Sequence, residues 1–123
     1  MTDPVLRDCR VLVVEDEFML AEELEVELLD AGAIVLGPAG TVEDAFDLIR
    51  SGREIDGAIL DASLRGEMSF PAADLLIELS VPFVFTTGYD ASVIPSRLKH
   101  VVRCEKPIKI AKVIEAIGRL IRA

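Results

Sequence analysis

The chain has 123 residues, 51% hydrophobic and 28% charged, which is enough to bury the core of one domain and too short for two. Thirteen Lys and Arg against 22 Asp and Glu leave a net charge of −9, so the surface as a whole repels phosphate backbones and speaks against nucleic-acid binding. No apolar stretch reaches the roughly 18 residues of a membrane span, and Met1-Thr2-Asp3-Pro4 begins no signal peptide, so a single cytoplasmic domain over 1–123 is expected.

The first apolar run, Val11-Leu12-Val13-Val14, is continuous and β-branched, as a strand buried on both faces of a parallel sheet reads. Leu20, Leu24 and Leu28 then recur every four residues among Glu22, Glu23, Glu25 and Glu27, predicting an amphipathic helix. Ile34-Val35-Leu36 predicts the second strand. The next helix carries Val42, Ala45, Phe46 and Ile49, and Thr41 with Asp44 three residues on opens it as a capping pair. Ala58-Ile59-Leu60 is the third strand and Leu75, Leu76 and Leu79 mark the third helix. Phe83-Val84-Phe85 is the fourth strand, and Pro95 limits the helix over Ala91 to Leu98 to a turn or two. Val101-Val102 is the fifth strand, and Ile110, Val113, Ile114, Ile117, Leu120 and Ile121 form the most regular helical stripe. Gly32, Gly52 and Gly88 punctuate the element ends. This alternation predicts an α/β, doubly wound (βα)5 fold with right-handed crossovers and a five-stranded parallel sheet, flavodoxin-like in strand order 2-1-3-4-5.

Charge is unevenly placed. Residues 1–30 hold ten acids and two bases, whereas residues 93–123 hold eight bases and two acids. Solvated helix faces account for this in the first instance; faces for different partners are the sharper alternative. Cys9 and Cys104 sit in apolar runs and read as small core residues rather than a disulfide pair. His100 reads as structural or exposed.

Ligands of open parallel sheets sit beyond the carboxyl ends of the strands. There the chain places Glu15-Asp16-Glu17 after the first strand, Asp61 after the third, Thr86-Thr87-Gly88 after the fourth and Lys106-Pro107 after the fifth. Two carboxylates about 4 Å apart repel by roughly 4 kcal/mol at an effective dielectric near 20, so one must protonate or both must hold a cation. Hard oxygen donors without His or Cys select Mg2+, with Mn2+ as a substitute. Capping of the first helix could explain one or two of the acids but not Asp61, which ends an apolar strand where an unpaired charge is costly. A carboxylate beside a divalent cation can accept a phosphoryl group, with Lys106 supplying charge and Thr87 a hydroxyl.

These motifs together resemble the response-regulator receiver domains of two-component signalling, over Cys9 to Arg122. The resemblance implies Asp61 as phosphoacceptor and Glu15 and Asp16 as the acidic pair. It implies metal ligation by Asp16, Asp61 and the Ser63 backbone carbonyl, with Glu15 acting through water. Thr87, five residues after Pro82, corresponds to the switch hydroxyl and Lys106 to the family lysine, with a cis peptide to Pro107. Pro82-Phe83-Val84-Phe85-Thr86-Thr87-Gly88-Tyr89 and Gly37-Pro38-Ala39 resemble the FATGUY branch, whose members are typically stand-alone bacterial regulators. The sequence departs from that pattern at Thr86, where the branch has Ala, at Leu64 and Arg65 in place of Met-Pro, and at Arg103 in place of the switch aromatic. Coupling to an output face must then run through backbone, Arg103 or Tyr89.

The resemblance implies a phosphoacceptor regulator rather than an enzyme, with at most self-catalysed phosphorylation and dephosphorylation. Its partners would be a sensor histidine kinase or histidine phosphotransfer protein and a downstream protein, without nucleic acid or membrane, and with room for a weak homodimer. Lys99, Arg103, Lys109 and Lys112 form the candidate output face. The competing readings are a phosphorylation-independent interaction module of the same fold, a Mg2+-dependent aspartyl phosphohydrolase and a flavin protein. Ser63 replaces the second Asp that the hydrolase needs, and no Ser/Thr/Gly-rich phosphate loop follows the first strand for the flavin.

Overall fold

Burial on both faces decides where the central strands form. In the computed structural model, which describes residues 5–88 and 91–122, the strands β1 (Arg10–Val14), β2 (Ile34–Ala39) and β3 (Gly57–Asp61) precede two short strands, β4 (Ser63–Leu64) and β5 (Glu67–Met68). Strands β6 (Phe83–Thr87) and β7 (Arg103–Glu105) complete the set. The main sheet is five-stranded and parallel, in the order β2-β1-β3-β6-β7, so the doubly wound topology expected from the alternation is the one observed. Its direction of winding reverses between β1 and β3.

Side-chain alternation sorts the core into two layers. Leu12, Val14, Ala58, Leu60, Phe83 and Phe85 face α2 (Val42–Ile49) and α3 (Phe70–Glu78). Val11, Val13, Ile59 and Val84 face α1 (Phe18–Asp30) and α4 (Ile110–Arg122), whose Leu24, Leu28, Val113 and Ile117 are buried against them. The Thr41 hydroxyl caps α2 by accepting the Asp44 N–H at 3.0 Å. Two 3-10 turns, Ala91–Val93 and Ser96–Leu98, take the place of a fourth crossover helix, as Pro95 between them requires. Arg97 fastens the second turn to α3 through a two-pronged pair with Asp74 at 2.9 and 3.0 Å.

The last strand lies later than its apolar residues suggest. Val101 turns into the core and only the Val102 carbonyl joins the sheet, accepting the Phe85 N–H at 2.9 Å. Pairing proper begins at Arg103, opposite Phe85. Exposed Arg103 and Glu105 suit an edge strand, because charge there discourages a further strand from adding. The antiparallel β4–β5 hairpin has no forerunner in the apolar pattern. Arg65 (φ 51°) and Gly66 (φ 82°) are both left-handed, as the tightest hairpin turns demand.

Gly37 lies inside β2 at φ 95°, and a Cβ there would stand 2.8 Å from the Val13 carbonyl oxygen and 2.9 Å from the Ala39 nitrogen. Gly37→Ala is therefore expected to cost about 1–3 kcal/mol of stability from backbone strain alone. Chemical denaturation should show a lower midpoint with an unchanged slope.

Candidate functional site

The reversal of winding between β1 and β3 opens the carboxyl edge where the chain carries its acids. Glu15 and Asp16 follow β1, Asp61 ends β3, and one oxygen from each of the three carboxylates lies within 4.8 Å of the others. Glu15 and Asp61 are only 3% and 4% exposed. These acids do not serve as helix caps: Glu17 occupies the N-cap position of α1 and makes no side-chain capping bond.

Lys106 reaches the same point from β7. Its Nζ donates to Asp61 Oδ2 at 2.8 Å and lies 3.4 Å from Glu15 Oε1 and 3.5 Å from Glu17 Oε2. The bond to Pro107 is cis, as the resemblance implies, and Gly37–Pro38 is cis as well. The Lys106 N–H donates to the Thr87 carbonyl at 2.8 Å, which ties the lysine to the end of β6. Thr87 is buried there, one residue beyond Thr86, the register partner of Asp61.

The hairpin supplies backbone donors. Leu64 and Glu67 flank its turn, so the N–H and C=O of Ser63 face away from Met68. The Ser63 N–H donates to Asp61 Oδ1 at 3.1 Å, and the Arg65 N–H donates to Asp16 Oδ2 at 2.8 Å. Behind the site the buried Ser69 hydroxyl donates to the Asp61 carbonyl. Ser69 and the Arg65 N–H are site components absent from the sequence expectation, and Glu17, expected at this edge without a role, proves to be an ion-pair partner of Lys106. Gly66, three residues after Ser63, is the one signal that could have pointed to a turn there.

The electrostatics follow from burial. Loss of solvation pushes the Glu15 carboxyl up to about 8; the Glu17 N–H on its Oε2 (3.0 Å) and Lys106 oppose this, and Asp61 reinforces it. Partial burial opposes ionisation of Asp16 too, but the Arg65 N–H and Glu15 hold its carboxyl below the usual range. Lys106 loses solvation as well, yet its bond to Asp61 and the charges of Glu15 and Glu17 hold its ammonium well above the usual value. Among the described residues, two buried side-chain oxygens lack a hydrogen-bond partner: Glu15 Oε1 and Thr86 Oγ1. A buried carboxylate oxygen with no hydrogen-bond partner and only the Lys106 ammonium at 3.4 Å to offset it, among three clustered acids with no His or Cys, suits a hard divalent cation.

Elsewhere, Cys9 and Cys104 are free thiols, half-buried rather than fully in the core, and burial pushes both thiols up. Such thiols are poorly nucleophilic. His100 is exposed in the turn before β7. Lys99, Arg103, Lys109 and Lys112 are all exposed. Tyr89, a candidate in the coupling path, lies outside the described residues. Among the described residues no helix is long and apolar enough to cross a membrane.

No family model and no curated protein matches the chain. Solved structures do. SdrG from Sphingomonas melonis is 36% identical over 95% of this chain and 98% of its own, with a TM-score of 0.75. The BeF3-activated conformation of SdrG, from Pseudomonas melonis, is 33% identical over 98% and 99%, with a TM-score of 0.74. A response regulator receiver protein from Sinorhizobium medicae is 26% identical over 96% and 98%, with a TM-score of 0.81. With the sheet order, the acid cluster and the lysine at one edge, these likenesses place the chain in the response-regulator receiver family.

Proposed function

We propose that the chain is a stand-alone phosphorylation switch in which Asp61 accepts a phosphoryl group from a histidine kinase or histidine phosphotransfer protein. The observation that carries this reading is the buried Asp61 carboxylate, held by the Lys106 ammonium at 2.8 Å and the Ser63 N–H at 3.1 Å beside two further acids. Asp16, Asp61 and the outward-facing Ser63 carbonyl would hold Mg2+ or Mn2+, with Glu15 acting through water. When bound, the ion neutralises phosphoryl oxygens and the crowded carboxylates.

An Asp61 oxygen attacks phosphorus, the P–N bond to the donor imidazole breaks with its electron pair leaving on nitrogen, and a P–O bond forms. Lys106 turns from carboxylate to phosphoryl oxygen, and the Thr87 hydroxyl meets another. Because Lys106 and Thr87 are joined through backbone, that movement reaches the ends of β6 and β7 together. The added charge, about −1.5 to −2, drives the change.

Phe18 and Met19, 79% and 74% exposed, stand beside Lys106 and Pro107 and offer an apolar contact to an incoming donor protein. The basic surface of Lys99, Arg103, Lys109 and Lys112 is the output face toward a downstream protein. The likeness to SdrG, of which a BeF3-activated conformation has been solved, supports the phosphorylation-switch reading.

The test is addition of beryllofluoride with Mg2+ to the labelled protein. Amide resonances of Thr87, Lys106 and the Ser63–Met68 hairpin should shift together. Spectra identical to those with Mg2+ alone would contradict the reading.

A further inference from the structure

Thr86 stands where the branch resembled by this sequence has Ala, and the proposed switch makes no use of its hydroxyl. Three observations bring that hydroxyl to the phosphoacceptor. Thr86 is the register partner of Asp61 across the β3–β6 pair, and its carbonyl accepts the Ala62 N–H at 2.9 Å. Alternation puts Thr86 on the face of Val84 and Asp61 on the face of Ile59, which is the same α1/α4 face of the sheet. The residue is 1% exposed and its Oγ1 has no hydrogen-bond partner among the described residues.

Strand order adds a fourth. β6 lies between β3 and β7, so Lys106, which follows β7, must cross the end of β6 to meet Asp61 at 2.8 Å. Thr86 and Thr87 lie under that crossing, and alternation sends their side chains to opposite faces. The site thus carries two hydroxyls that approach Asp61 from different sides.

We propose that Thr86 is a second hydroxyl donor of the phosphoacceptor site, unpartnered while Asp61 is free and hydrogen-bonded to the Asp61 side chain once it bears a phosphoryl group. A buried donor that is unsatisfied in one state and satisfied in the other biases the equilibrium toward the second. Thr86 therefore favours the phosphorylated form. This inference rests on the phosphorylation-switch reading.

Its test compares wild type, Thr86→Val, Thr86→Ala and Thr86→Ser for beryllofluoride binding in the presence of Mg2+, together with thermal unfolding of the free proteins. Valine keeps the shape and removes the unsatisfied hydroxyl, so the free Thr86→Val protein should melt at or above the wild-type temperature while binding beryllofluoride about tenfold more weakly. Alanine should lose the same binding and serine should restore it. A residue with only a packing role would move stability and leave binding unchanged. Should Thr86→Val fail to fold, the Ala and Ser pair decides. Equal beryllofluoride affinity in the variants and wild type overturns the role of Thr86 alone. Absence of binding to the wild type overturns the switch reading and this inference with it.

Discussion

Asp61→Asn is expected to abolish phosphoryl uptake from a small phosphodonor such as acetyl phosphate, while the fold is kept. The amide is close to isosteric, and the Ser63 N–H can still donate to its oxygen in place of Oδ1. What is lost is the charged oxygen that attacks phosphorus and one of three clustered carboxylates. Removing a carboxylate from a hard-cation site also weakens attraction for Mg2+, which should fall by about tenfold or more, since losing one paired charge at a buried site costs about 1.5–3 kcal/mol. Lys106 keeps Glu15 at 3.4 Å, so the ammonium stays partnered and the chain should unfold cooperatively. Phosphate incorporation, Mg2+ titration and thermal unfolding on one preparation check all three. Uptake undiminished in this variant would place the acceptor elsewhere.

The second large effect comes from Glu15, whose carboxyl burial pushes up to about 8 from an ordinary 4.5. Between those values the folded chain holds a proton that the unfolded chain releases. Stability should therefore fall as pH rises through that window, by up to about 1.4 kcal/mol per pH unit. Lys106, held charged by Asp61, stays protonated throughout and adds no slope; its contribution is lost only at strongly alkaline pH. A divalent ion favours the ionised acid, so binding expels the Glu15 proton. Mg2+ affinity should accordingly climb with pH up to about 8, approaching about tenfold per unit at its steepest. Glu15→Gln should flatten both slopes. Calorimetric titration and denaturation at several pH values read them, and equal slopes in wild type and variant would remove Glu15 from the account.

Legibility in the sequence followed burial. Val11–Val14 and Ala58–Leu60 lie inside a sheet covered on both faces, so every position is apolar and the strand reads as a continuous run. Edge strand β7 is three residues long with two exposed charges, and the apolar pair Val101-Val102 before it drew the expectation two residues too early. The hairpin was invisible because Arg65-Gly66 lacks the Asn-Gly or Asp-Gly that usually marks a left-handed turn. Within the site the carboxylates stood out, because a charge ending an apolar strand is costly unless it has work to do. Ser69 and the N–H of Arg65 carried no such mark, since their contacts arise from the path of a hairpin that composition does not reveal. Thr86 was visible as a departure from a pattern; its buried, unpartnered hydroxyl beside Asp61 emerged only from strand register.

The most direct test is to incubate the wild-type protein with a phosphodonor and Mg2+, then locate the label by peptide mass mapping, with a chelated sample alongside. One phosphoryl group on the peptide containing Asp61, present with Mg2+ and absent on chelation, is the predicted result. Modification at any other residue, or uptake at Asp61 that ignores the chelator, would contradict it.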